Sequence, residues 1–65
     1  MRVNGVIYNV LWARFKVGTS IFVPCLNVNE AREEITEVTK RLGFKVQIKL
    51  VIEDGIRGLR VWRVR

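Results

Sequence analysis

The chain contains no histidine, a single cysteine and a single proline. Without histidine it lacks the side chain most often used as a general base or metal ligand near neutral pH. The lone Cys25 excludes an internal disulfide and a multi-cysteine metal site, and a disulfide-free domain of this size fits a reducing cytoplasm. Nothing cationic flanks Cys25 to activate it, so it reads as a small buried hydrophobe. No apolar run approaches the roughly 20 residues of a membrane helix, and the opening Met1-Arg2-Val3-Asn4-Gly5 leads into no signal-peptide core. No phosphate-loop motif occurs, and Gly55 and Gly58 read as turn glycines. A cytoplasmic, non-enzymatic protein without a cofactor or membrane contact is expected.

What is present fits one small α+β domain spanning residues 1–65. Hydrophobic residues make up 49% of the chain, too many for intrinsic disorder. A chain this short buries only about 60% of the surface it exposes when unfolded, so its stability is expected to be marginal, or raised by a partner. The formal charge is +6, unevenly placed. Residues 29–42 hold four acids and three bases; the remainder holds nine bases and two acids, Glu53 and Asp54. The positive field therefore belongs to the strands and termini, and it favours a polyanionic partner.

Val28, Ala31, Ile35, Val38 and Leu42 recur at three- and four-residue spacing, which predicts one amphipathic helix. Asn27 with Glu30 matches a capping box, and Leu26 with Ala31 the accompanying hydrophobic staple. Asn29 is a competing cap without a box. Glutamates lead, Lys40 and Arg41 trail, and Gly43 follows as a left-handed cap.

Residues 44–52 alternate: Phe44, Val46, Ile48, Leu50 and Ile52 point one way, Lys45, Gln47, Lys49 and Val51 the other. Asp54-Gly55 signals a type I′ hairpin, and residues 59–64 return. Residues 20–23 form a short strand ended by Pro24. The first seventeen residues fit an extra strand (Val6, Tyr8, Val10, Trp12) or a helical turn (Ile7, Val10, Leu11, Arg14), with Trp12 and Phe15 packed as a lid. The order is β-α-β-β. Inserting the third strand between the other two makes every neighbour antiparallel, giving strand order 1-3-2 with the helix on one face and the other face open.

A two-residue turn at Asp54-Gly55 pairs Lys49 with Arg60, Gln47 with Trp62, Ile48 with Val61 and Leu50 with Leu59. Lys45, Lys49, Arg60, Gln47 and Trp62 then share the open face. Two cations opposite one another invite an anion between them, and cations around an aromatic ring are how sheets hold nucleic acid. Lys45, Lys49, Arg60 and Arg63 are the candidate phosphate contacts, with Trp62 stacking. About four such contacts would give a salt slope near −3.6. The blander alternative is equally open. Tryptophan is highly buried on average, and a longer turn through residues 56–58 would slip the register and send Trp62 into the core. Arg63 falls on the apolar side opposite Val46, so it must reach past the rim.

Two stretches, Phe15-Lys16-Val17-Gly18-Thr19-Ser20-Ile21-Phe22-Val23-Pro24 and Gly58-Leu59-Arg60-Val61-Trp62-Arg63-Val64, resemble a group of small uncharacterised bacteriophage proteins. Those have an F-x-x-x-G-x-S-F-F-V-P-like opening and an R-V-W-R ending. Lys40-Arg41-Leu42-Gly43-Phe44-Lys45 is similar to their middle step, though the helix here is more acidic. The resemblance implies phage origin, hence a host cytoplasm, and no established activity. In length and strand-helix-strand order the chain is also similar to the small T7-type phage inhibitor of host RNA polymerase. The expected function is nucleic-acid binding, DNA or RNA. The alternatives are a module docking on an acidic surface of a host enzyme such as a polymerase or nuclease, and a small homodimeric scaffold.

Overall fold

A computed structural model describes all 65 residues. In chain order the elements are β1 (Arg2–Val3), β2 (Val6–Ile7), a 3₁₀ turn (Trp12–Arg14), β3 (Ser20–Pro24), α1 (Val28–Arg41), β4 (Val46–Glu53) and β5 (Ile56–Arg63). The main sheet is antiparallel in the order β3-β5-β4, as the strand pattern predicts, and β1 and β2 form a separate two-stranded ribbon. No helix is long and apolar enough to cross a membrane.

The β4–β5 register follows from the turn. Asp54 and Gly55 have φ of 52° and 76°, the left-handed pair of a type I′ turn, whose twist matches the flanking strands. Ile48 pairs with Val61 and Leu50 with Leu59, as expected, and the pairing continues without a slip to Val46 and Arg63. Strand β5 begins at Ile56, three residues earlier than its apolar pattern suggests. Gly58 is therefore a buried strand residue, not a turn residue. It is required there by close approach: a Cβ would stand 2.5 Å from the Val23 carbonyl and 2.8 Å from the Phe22 ring. The ring of Phe22 covers the bare glycine, a substitute for the missing side chain.

Helix α1 matches its predicted bounds. The Asn27 side chain accepts a bond from the Glu30 N–H at 3.1 Å. The capping box is only half formed, because the Asn27 N–H that Glu30 would accept goes to Asn4 Oδ1 at 3.0 Å; Glu30 accepts from Asn27 Nδ2 instead. The staple is absent: Leu26 is 88% exposed. Its N–H is held by Asn4 and its carbonyl by Arg57, which fixes the backbone with the side chain outward. At the other end Gly43 N–H bonds Lys40 and Phe44 N–H bonds Thr39, the two bonds of a Schellman closure. Thr39, inside the apolar stripe, is buried and directs its hydroxyl to the Ile35 carbonyl at 2.9 Å.

The N-terminal segment supplies both expected forms in shortened versions. Asn4-Gly5 makes a second tight turn, both residues at positive φ, and its Asn4 side chain also ties the ribbon to the start of α1. The alternation of Val6, Tyr8, Val10 and Trp12 is realised as strand only at Val6–Ile7. Tyr8 hydroxyl then bonds the Pro24 carbonyl at 2.6 Å. Trp12 and Phe15 do pack inward, meeting Phe44 in an aromatic cluster with centroids 5.9–6.3 Å apart. The core comprises Val3, Phe15, Val23, Cys25, Ala31, Ile35, Leu59 and Val61. Gly58→Ala is expected to lower stability by roughly 1–3 kcal/mol through overpacking between β3 and β5. Urea unfolding followed by circular dichroism checks this; an unchanged midpoint would contradict the close approach.

Candidate nucleic-acid interface

Alternation along β4 and β5 sets Gln47, Lys49, Val51 and Glu53 on the open face with Ile56, Gly58, Arg60 and Trp62, and β3 adds Ser20, Phe22 and Pro24. The face divides into two halves with different electrostatics.

In the half nearest the Asp54-Gly55 turn the charge is internally neutralised. Arg60 Nε and Nη2 donate to the two carboxylate oxygens of Glu53, and Nη1 donates to Ser20 Oγ at 2.8 Å. Glu53 lies diagonally across from Arg60, beyond the Val51–Gly58 pair. The guanidinium also stands 5.8 Å from the Phe22 ring centre. Arg60 thus finds its counter-ion within the protein, while no anion stands between Lys49 and Arg60 as the sequence suggested; Lys49 has no acidic partner. The Arg60 hydrogen bonds, aided by its charge, hold the Glu53 carboxyl below the usual carboxylate range.

In the other half no acidic side chain pairs with the cations. Trp62 is half-buried opposite Gln47 and Ser20. It borders a shallow cleft of about 370 Å³ with Val17, Gly18, Gln47, Lys49, Arg63 and Val64. The core placement of Trp62 that a register slip would produce does not occur. Lys49 is exposed and in no ion pair; Lys45, also exposed, joins the chain end through its backbone, which bonds Val64 and Arg65. Lys16 and Arg65, both exposed, are the chain neighbours of the cleft residues Val17 and Val64.

Arg63 has a separate position. From the helix side it stacks its guanidinium 3.7 Å over the Phe44 ring and donates Nη1 to the Phe15 carbonyl at 2.8 Å. Its Nε bonds the Arg65 carbonyl. Its head lies at the rim, tying the aromatic cluster to the sheet end while the residue lines one wall of the cleft.

The acids collect at the opposite end of the molecule. Glu30, Glu33 and Glu34 occupy the first turns of α1, which Arg57 links to β5, and Glu53 and Asp54 close the adjacent hairpin. Glu37 is paired with Arg41. Lys49 and Arg63 line the Trp62 cleft, and Lys16, Lys45 and Arg65 adjoin its residues along the chain or by backbone hydrogen bonds, with no acidic side chain among them. Cys25 is buried, and burial pushes its thiol up, away from nucleophilic chemistry.

The depressed Glu53 carboxyl makes a pH-dependent contribution. Its stabilisation is present above the ordinary carboxylate range, about pH 4.3, and is lost as pH falls through its lower folded value. Glu30 acts oppositely, since a hydrogen bond with Glu34, burial and the Glu34 charge push it up. Comparing wild type with Glu53→Gln removes that common background. The variant is expected to be less stable at pH 7 and to converge with wild type toward pH 3 in urea midpoints. A gap that stays constant with pH would contradict the pairing.

The chain matches no protein-family model, no curated protein and no solved structure.

Proposed function

We propose that this protein is a non-catalytic binder of single-stranded nucleic acid, with Trp62 as the stacking platform and Lys45, Lys49, Lys16 and Arg65 following the phosphates. The observation that carries the proposal is the half-exposed Trp62 in a cleft walled by Lys49 and Arg63, at an end of the molecule free of acids. A single strand can lay a base on the indole while its backbone runs over the flanking cations. Stacking tolerates any base, so weak sequence preference and strong salt dependence go together.

The internal commitments of Arg60 and Arg63 reshape the expected contact set. Arg60 is neutralised by Glu53, so it serves to shape the face and contributes little net charge to a phosphate. Arg63 holds its guanidinium against Phe44 and Phe15 on the helix side, so it packs the end of the sheet and is not offered to a phosphate. The free lysines and Arg65 take the mobile contacts. The phage resemblance accords with a small accessory protein of this kind and adds no residue to the site.

Four contacts to a single strand predict a log–log salt slope of about −2.8, or roughly a fiftyfold loss of affinity between 50 and 200 mM salt. Trp62→Ala is expected to weaken binding by roughly 1–3 kcal/mol with little change in slope. Lys49→Ala is expected to flatten the slope by about 0.7. Fluorescence anisotropy with labelled single-stranded DNA and RNA reads all three. A flat titration at 50 mM salt, or affinity unaffected by Trp62→Ala, would overturn the proposal.

A further inference from the structure

The two edges of the main sheet are treated differently. On β3, Pro24 has no N–H to offer, its carbonyl is taken by the Tyr8 hydroxyl, and residues 8–11 face the strand across a cleft. That edge is blunted against further pairing. On β4 the tight turn makes Glu53 and Ile56 the pair that exchanges both backbone bonds. The odd-numbered residues of β4 therefore bond to β5, and the N–H and C=O groups of Val46, Ile48, Leu50 and Ile52 point to the free edge. Arg32 Nη1 reaches the Ile48 carbonyl from outside the sheet at 3.3 Å, as this pattern requires. Beyond that bond, from Leu50 to Glu53, the same stretch has exposed apolar side chains: Leu50 is 51% and Ile52 70% exposed on the helix side.

We infer that this open part of the β4 edge pairs with the same segment of a second copy of the chain, about a two-fold axis at Val51. The occupant is identified by self-complementarity. Antiparallel pairing centred on Val51 places Leu50 opposite the partner's Ile52, and it does so twice, covering the two apolar residues that α1 leaves exposed. On the open face it places Lys49 opposite the partner's Glu53, also twice. Arg60 already holds that carboxylate, so each Glu53 becomes the centre of an Arg60–Glu53–Lys49 network across the junction. The Arg32 bond to Ile48 lies outside the paired stretch and is undisturbed. Shifting the centre to Lys49 sets two lysines face to face, a like-charge clash that selects against that register.

The product is one six-stranded sheet with both helices on one side and both Trp62 clefts on the other, the two rings about 30 Å apart from strand geometry. The pairing does not depend on nucleic-acid binding. A paired stretch of five residues falls short of the roughly 800 Å² per partner of a standard interface, so the dimer is weak and concentration-dependent.

Sedimentation without nucleic acid, from about 10 μM to 1 mM chain, is expected to show the mean mass rising from one chain toward two, less so at high salt. Lys49→Glu, which sets a carboxylate against the partner's Glu53, is expected to stay monomeric. Directly opposed, non-hydrogen-bonded residues have Cα atoms about 4.5 Å apart, within disulfide range. Val51→Cys is therefore expected to give a disulfide-linked dimer on mild oxidation, whereas wild type, with only the buried Cys25, and Lys49→Cys are not. Wild type remaining monomeric at 1 mM, Lys49→Glu dimerising as wild type does, or Lys49→Cys cross-linking in place of Val51→Cys would each overturn the inference.

Discussion

The structure depends on the two-residue turn at Asp54-Gly55. Both residues occupy the left-handed region, and the twist of the turn fixes every pair along β4 and β5. Because side chains alternate with a period of two, a slip of one residue would exchange the faces. Leu59 and Val61, both fully buried beside Ile35 and Ala31, would turn to solvent, and Trp62 would enter the core. The hydrophobic demand of the helix face and the geometry of the turn select the same register. The position of Trp62 on the open face follows from their agreement.

The pairing of Arg60 with Glu53 then divides the charge on that face. The absent side chain at Gly58 admits the Phe22 ring above the strand, and the Arg60 guanidinium lies near that ring while it binds Glu53. One half of the sheet thereby carries a closed polar cluster of Arg60, Glu53 and Ser20. The other half keeps lysines with no counter-charge around an aromatic surface. The same division makes the edge of β4 distinctive: Lys49 is free and Glu53 is four residues away, a spacing that an antiparallel copy complements. The stacking site and the pairing edge thus share Lys49, which faces the cleft and also stands at the open edge.

The local signals in the sequence were sufficient for the helix and the hairpin. Asn27, Gly43 and the Asp54-Gly55 turn specify chain geometry through neighbouring residues, and the three-stranded order followed from making every neighbouring pair antiparallel. Readings that depended on distant residues fared less well. Leu26 was expected to staple the helix, yet Asn4 and Arg57 from elsewhere in the chain claim the surrounding backbone. The Asn4-Gly5 turn was visible as a dipeptide, but its strands are two residues long, too short to show alternation. Arg63 lies on the apolar side as the register demanded, and the cluster of Phe15 and Phe44 that accepts it is assembled only in three dimensions. Glu53 was assigned to the turn by its position; its parity with Lys49 was the signal that it faces Arg60.

The central claim is that Trp62, and not the packed Trp12, meets the nucleic acid. The two indole N–H resonances separate them in a ¹⁵N–¹H spectrum titrated with a single-stranded oligonucleotide at low salt. The account predicts a shift or broadening at Trp62, with Gln47 and Lys49 amides moving in concert, while the Trp12 indole in the aromatic cluster stays in place. Movement of Trp12 with Trp62 unperturbed, or no change at either indole, would contradict it.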